Sequence, residues 1–89
     1  MRKDIEKLLT EILLLGIKVN VKTKHSIFVA YSGHVNSYEF SMIRNGYPKN
    51  NGDFKLEYLG KTYLDKDSRI VKEDLKYIKN KLTKLLEGR

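Results

Sequence analysis

The chain has 89 residues, of which 40% are hydrophobic and 33% are charged, and its net charge is +7. A chain of this size and composition folds as one small domain with one modest core, so residues 1–89 are expected to form a single domain. The absence of cysteine excludes disulfides, thiolate chemistry and zinc sites with Cys ligands.

The first predicted element is an amphipathic helix over residues 3–15. Its apolar residues recur every three or four positions and so form one stripe, made of Ile5, Leu8, Leu9, Ile12 and Leu15. Gly16 stands where a helix C′ glycine is expected, which predicts that the helix ends there. Leu14 points away from the stripe, so it is either covered in the last turn or left for a partner.

Four or five strands are predicted next, from alternation and from β-branched and aromatic residues. Their ranges are 17–22, 25–31, 37–43, 53–59 and a short run over 62–64. Gly60-Lys61 is interpreted as the two-residue turn before the last of these strands. Because the connections are short, the strands are expected to pair antiparallel in a meander.

The predicted sheet has one buried face and one open face. Alternation assigns Val19, Val29, Phe40 and Leu56 to the buried face. Phe28 is then the only aromatic side chain on the open face, where acidic residues also lie. A base-stacking platform for single-stranded nucleic acid is therefore not favoured.

A second helix is predicted from Asp67 or Ser68, either of which is a good N-cap, to about Glu87. Its apolar stripe consists of Val71, Leu75, Ile78, Leu82 and Leu85. Two amphipathic helices and a one-sided sheet predict a two-layer α+β sandwich in the order α-β-β-β-β-α.

This layout is similar to that of double-stranded-RNA-binding domains, which also place a sheet between two helices. The Gly-Pro-x-His loop of that family is absent, because residues 32–35 read SGHV. The Lys-Lys-x-x-Lys cluster at the start of the last helix is absent as well. The likeness is one of element order alone, and we assign the chain to no family.

Four cations on the second helix form the first candidate site. Arg69, Lys72, Lys76 and Lys79 fall along one flank at spacings of three, four and three. They span about 15 Å along the helix axis, which is enough to follow several phosphates. The alternative is an ordinary solvated lysine flank. Fourteen of the eighteen basic residues are Lys, a bias that an AT-rich genome also produces.

The segment RNGYPKNNGD, residues 44–53, is the second candidate site. It is longer than most hairpin connections, and Pro48 stiffens it. Arg44, Tyr47 and Lys49 are predicted to be its contact residues, because Tyr and Arg are favoured in interfaces. The alternative is a variable surface loop with Tyr47 folded back onto the sheet.

Two functions of different classes follow from these surfaces. The first is a non-enzymatic, small basic module that docks on nucleic acid or on a nucleic-acid-containing complex. The second is a protein-directed module, such as a small phage- or mobile-element-type inhibitor or a dimeric adaptor, which includes a homodimer. Its interface would use Leu14, the 44–53 segment and three apolar residues of the open face, Phe28, Ile43 and Leu59.

Catalysis has little support in the sequence. The only imidazoles are His25 and His34, and no nucleophile, metal-ligand or phosphate-loop motif is present. We therefore expect no enzyme activity, no metal and no cofactor. Residues 1–16 do not have the charge pattern of a signal peptide, and no apolar run reaches membrane-spanning length. A cytoplasmic protein without membrane contact is expected.

Overall fold

The computed structural model describes residues 2–46 and 55–88. In chain order, one helix is followed by three strands and then by a second helix, which is an α-β-β-β-α arrangement. The elements are α1 (Lys3–Lys22), β1 (Ser26–Ser32), β2 (Ser37–Ile43), β3 (Leu56–Tyr63) and α2 (Ser68–Glu87). The α+β class is confirmed, but the prediction of four or five strands is wrong over the ranges described, which contain three.

The strands form an antiparallel meander in the order β1-β2-β3. Both helices pack on one face of this sheet, α1 against β1 and α2 against β3, and they also pack on each other. The side chains buried between the layers are Ile5, Leu9, Ile12, Val19, Ile27, Phe40, Met42, Leu59, Val71, Leu75, Ile78 and Leu82. The opposite face of the sheet is the open face.

The predicted strand over residues 17–22 is wrong, because α1 continues through Gly16 to Lys22. Val19 is fully buried, whereas Ile17 is 57% and Val21 is 76% exposed, so the three do not share a strand face. Packing overrides the β-propensity of these residues. A Cβ at Gly16 would lie 3.5 Å from Cγ2 of Ile27, an ordinary contact distance, so α1 passes β1 here without requiring glycine.

The predicted turn at Gly60-Lys61 is also wrong, because both residues lie within β3. Gly60 is instead a point of close approach to α2, where an added Cβ would lie 2.6 Å from Cγ1 of Ile78. A register irregularity opposite Phe40 places Leu59 and Gly60 on the helix side together. As a result Leu59 is buried and Leu56 is exposed, the reverse of the predicted faces.

The prediction for α2 is confirmed at both ends. Asp67 is the N-cap, and its Oδ1 accepts a hydrogen bond of 2.8 Å from the Arg69 amide. Four residues of the predicted stripe are buried and Leu85 is half-buried. In the described ranges, neither helix combines the length and apolar content that a bilayer-spanning segment needs.

Candidate functional site

The predicted cation stripe lies along the cleft between the two helices. Lys72 forms an ion pair with Asp4, and Nζ of Lys79 lies 3.0 Å from Oε2 of Glu11. Both pairs join residues 68 positions apart. Because this offset is constant along α1 and α2, the two helices run parallel and begin at the same end of the molecule.

The stripe is thus partly neutralised by acidic neighbours. The hydrogen bond from Lys72 lowers the pKa of Asp4, whose side chain is 40% exposed. Nε of Arg69 lies 3.6 Å from Oδ1 of Asp67. Lys76 borders the same cleft, which has a volume of about 350 Å³. Among the described residues, no carboxylate forms an ion pair with Lys76. Less charge is therefore available here than the sequence spacing predicted.

The described part of the predicted contact loop consists of Arg44 and its two successors. Nε and Nη2 of Arg44 both lie 3.0 Å from the Glu57 carboxylate, so the guanidinium joins the end of β2 to the start of β3. This hydrogen bonding lowers the pKa of Glu57 and raises that of Arg44. The pair contributes at neutral pH, and its contribution is lost as the pH falls through the lowered pKa of Glu57.

Tyr47 and Lys49, the other two predicted contact residues, lie outside the described residues. The positions that border the 47–54 segment are nevertheless defined. Gly46 follows the end of β2 and Lys55 precedes β3, so the segment leaves and rejoins the sheet at the end where the two helices finish.

The net charge is concentrated at that end of the molecule. With every helix and strand divided at its midpoint, the half that holds the helix C-termini comprises residues 13–29, 40–46, 55–59 and 78–88. We call it the basic pole. It carries eight cations and two carboxylates, a net charge of +6. The cations are Lys18, Lys22, Lys24, Arg44, Lys55, Lys79, Lys81 and Lys84, and the carboxylates are those of Glu57 and Glu87. The other described half carries eight of each sign and is neutral.

Two concavities shape the surface of the basic pole. The first, of about 340 Å³, has an apolar floor formed by Met42, Leu59 and Leu85, with Lys81 and Lys84 at its rim. The Lys81 ammonium is held in place: it donates to the Leu59 carbonyl at 3.2 Å and lies 4.3 Å from the ring centroid of Tyr77.

The second concavity, of about 630 Å³, lies where the ends of α1, β2 and α2 meet. Lys22 and Lys24 line it, together with His25 and Asn45. Nδ1 of His25 accepts a hydrogen bond of 3.1 Å from the Asn45 amide. This imidazole therefore positions the chain after β2, and His34 lies in the β1–β2 connection far along the sheet.

The open face of the sheet is more aromatic than the sequence predicted. The register irregularity in β3 turns Tyr58 to this face, where it is opposite Ser41. Tyr63 lies there too, with the ammonium groups of Lys61 and Lys66 at 5.0 and 5.1 Å from its ring centroid. Gly60, beside the irregularity, was interpreted as part of a turn, so the alternation pattern placed Leu56 and Tyr58 on the buried face.

A separate apolar surface runs along the side of α1 that faces solvent. It consists of Leu13, Leu14, Ile17 and Val21, all of which are exposed. Their spacing of three and four places them on one helical face. We call it the α1 apolar strip. Leu13 and Leu14 lie outside the predicted apolar stripe of the helix, and Leu14 was expected to be such a residue. Ile17 and Val21 join them because the helix continues past Gly16.

Neither a metal site nor a similar known protein indicates what these surfaces bind. In the ranges described, no group of three or more His, Cys, Asp or Glu side chains is placed to hold a metal ion. No protein-family model matches the chain, and no curated protein or solved structure matches it either.

Proposed function

We propose that this protein docks on nucleic acid, or on a complex that contains it, through the basic pole. The observation that carries the proposal is the separation of charge: a net +6 at the pole against a neutral opposite half. A surface with many cations and few acids attracts a polyanion and gains affinity by releasing its counterions.

The helices themselves do not account for this many cations. Each helix C-terminus carries about half a negative charge, so the two together can offset only about one positive charge. Lysines at the last turns of α1 and α2, Lys22 and Lys84, fit that stabilising role. The remaining excess is spread over both helices and the sheet, an arrangement that suits a long polyanion better than one small anion.

The type of cation favours contact with the phosphate backbone over base reading. Seven of the eight cations at the pole are Lys, and the one Arg is already paired with Glu57. Lysine acts as a point charge, whereas base recognition in the grooves relies on the bidentate geometry of Arg. We therefore expect little sequence specificity. Tyr47 and Lys49 remain proposed contacts, since their segment borders the pole.

The stripe of Arg69, Lys72, Lys76 and Lys79 is retained as a proposed secondary contact. Arg69 and Lys76 are its exposed members. Lys72 and Lys79 are paired with carboxylates of α1, Asp4 and Glu11 respectively. Lys79, which is paired with Glu11, belongs to both the stripe and the pole. The other three stripe residues lie outside the pole, so charge reversal at those positions can separate the two contributions.

The test is fluorescence anisotropy of labelled duplex DNA, duplex RNA and single strands at about 50, 100 and 200 mM salt. Four phosphate contacts give a slope near −3.6, so affinity is expected to fall roughly a hundredfold across this range. Lys24→Glu/Lys55→Glu, at two exposed lysines of the pole, is compared with Arg69→Glu/Lys76→Glu on the stripe, which changes the net charge equally. The pole variant is expected to lose at least about tenfold more affinity.

Each other result has a defined meaning. Equal losses of nucleic-acid affinity in the two variants would indicate that net charge alone matters, and would refute the basic pole as the binding site. A larger loss in the stripe variant would assign the site to α2. Absence of binding to all four ligands at the lowest salt would refute the nucleic-acid function itself. Circular dichroism and thermal unfolding check that both variants remain folded.

The α1 apolar strip favours a second candidate, a protein-directed module. Contiguous exposed apolar surface marks interaction sites on proteins. Binding of this kind would change little between the two extremes of salt, and the uncharged substitutions Leu14→Gln/Val21→Gln would abolish it. The strip lies within the pole's residues 13–29, and because this variant leaves the net charge at +7, an unchanged nucleic-acid affinity would show that the strip and the cations of the pole act separately.

A further inference from the structure

We propose that two copies of this chain associate by antiparallel pairing of their β1 strands. The first observation is in the sequence. Residues 25–38, fourteen in succession, contain no Asp, Glu, Lys or Arg in a chain that is one-third charged. This run includes the whole of β1, with the sequence SIFVAYS, and β1 lies at an edge of the sheet.

The outer side of β1 presents backbone groups to a partner strand. The Ile27 amide donates a hydrogen bond of 2.7 Å to Oδ1 of Asn20 on α1, so it points away from β2. Backbone groups alternate in direction along a strand, and those of Val29 and Tyr31 therefore point away from β2 as well. Val29 is 40% and Tyr31 is 53% exposed, so neither is covered.

β1 also lacks the features by which proteins protect an edge strand. Charges, proline, bulges and covering segments normally prevent edge-to-edge pairing. β3, the opposite edge, has several of these: the register irregularity, the charged residues Glu57 and Lys61, and the Lys81 ammonium bonded to the Leu59 carbonyl. β1 contains no charge, proline or bulge, and its outer side is covered only where the Ile27 amide bonds to Asn20.

The apolar surface continues from β1 onto α1. Gly16 and Asn20 are the residues by which α1 contacts Ile27. Leu13 and Ile17 flank that contact on the same side of the helix, because residues three and four positions apart are neighbours. Both belong to the α1 apolar strip. A second β1 at the edge would bring a second α1 alongside, and these leucine and isoleucine side chains would meet.

Charge identifies the partner as a second copy. An acidic protein would be drawn to the basic pole, whereas two molecules of charge +7 repel each other least where both surfaces are uncharged. β1 begins at the basic pole and runs toward the neutral half. Antiparallel pairing therefore places the two basic poles at opposite ends of a six-stranded sheet, where their repulsion is smallest.

The expected dimer is weak and reversible. A seven-residue strand is about 23 Å long, and with Leu13 and Ile17 it offers an interface near the lower limit for stable complexes, about 1,200 Å². Sedimentation equilibrium from about 1 μM to about 1 mM protein, without nucleic acid, should show a monomer–dimer equilibrium.

Lysine substitutions test the surface. Val29→Lys and Ile17→Lys should each weaken dimerisation at least about tenfold, because each introduces a like charge on both sides of the interface. Tyr58→Lys on the opposite edge strand is the matched control, since Tyr58 is 59% exposed, and it should leave dimerisation unchanged. Thermal unfolding shows whether each variant is folded.

Cysteine crosslinking tests the same surface without a change of charge. The chain contains no cysteine, so single substitutions at Val29, Ala30 and Tyr31 introduce unique thiols. At least one should form an intermolecular disulfide rapidly under mild oxidation, and Tyr58→Cys should not. A chain that stays monomeric at the highest concentration would overturn the proposal. So would a dimer that is unaffected by Val29→Lys, or crosslinking that is no faster on β1 than at Tyr58.

Discussion

Asn20 shows how one side chain decides between helix and strand. Its Nδ2 donates to the Gly16 carbonyl at 3.1 Å, within α1, and its Oδ1 accepts from the Ile27 amide. From the sequence, Asn20 falls in the strand predicted over residues 17–22, because its neighbours alternate between apolar and polar. The same letters fit a helix in which Val19 follows Ile12 by seven positions. The contact with Ile27 favours that arrangement, and it is not visible in local sequence.

Substitution of Asn20 tests this link. Asn20→Ala leaves the partly buried Ile27 amide without its acceptor, which costs about 1–2 kcal/mol, and the gain in helix propensity returns roughly 0.5 kcal/mol. We expect the free energy of unfolding, measured with urea, to fall by about 1 kcal/mol. Lys18→Ala, an exposed substitution in the same helical turn, should change it little. An Asn20→Ala chain as stable as the wild type would show that the bond to Ile27 contributes nothing.

Glycines were the least reliable guides at the level of the element. Gly16 was interpreted as the end of a helix and Gly60 as part of a turn, since both are common roles of glycine. In the structure each lies inside a regular element and faces a residue of another element, but only at Gly60 is the approach too close for a Cβ. α2 was predicted correctly because its cap, stripe and end are all local signals. The close approaches depend on packing between distant segments.

Gly16→Ala separates the two interpretations of α1. Inside a helix, alanine is more favourable than glycine by about 0.5–1 kcal/mol. The added Cβ would meet Ile27 at an ordinary contact distance of 3.5 Å. We therefore expect Gly16→Ala to raise the free energy of unfolding by roughly 0.5 kcal/mol in urea titrations. A left-handed C′ glycine would give the opposite sign, so a destabilised variant would restore the shorter helix.

The distribution of charge is a property of the whole molecule. Along the sequence, the excess of cations lies in residues 17–64, with seven against three acids, and in residues 65–89, with eight against five. These counts do not place the excess at one end of the fold. That grouping requires parallel helices, which the ion pairs of Asp4 and Glu11 with α2 reveal. The two-layer sandwich could be inferred from two amphipathic helices and short connections. The alignment of the helices could not, because it depends on the number of strands between them. Three antiparallel strands with short connections make α1 and α2 parallel, whereas the four strands predicted would have made them antiparallel.

The two proposed interactions should respond to salt in opposite directions. Screening weakens the attraction of the basic pole for phosphates, and it also weakens the repulsion between two chains of charge +7. We expect the dissociation constant for nucleic acid to rise and that of the dimer to fall as salt increases from about 50 to about 200 mM. Anisotropy and sedimentation in the same buffers measure both. A dimer weakened by salt would contradict pairing through an uncharged edge.

The parallel pairing of α1 with α2 also has a consequence for synthesis. α2 begins 46 residues after α1 ends, so at roughly 5–20 residues per second a ribosome needs about 2–9 s to add the intervening chain. Helices and hairpins form within microseconds. α1 and the strands therefore have ample time to form, while the core side of α1 still lacks Val71, Leu75, Ile78 and Leu82. The arrival of α2 is the step that completes the core, and until then the nascent chain is open to aggregation and to chaperones.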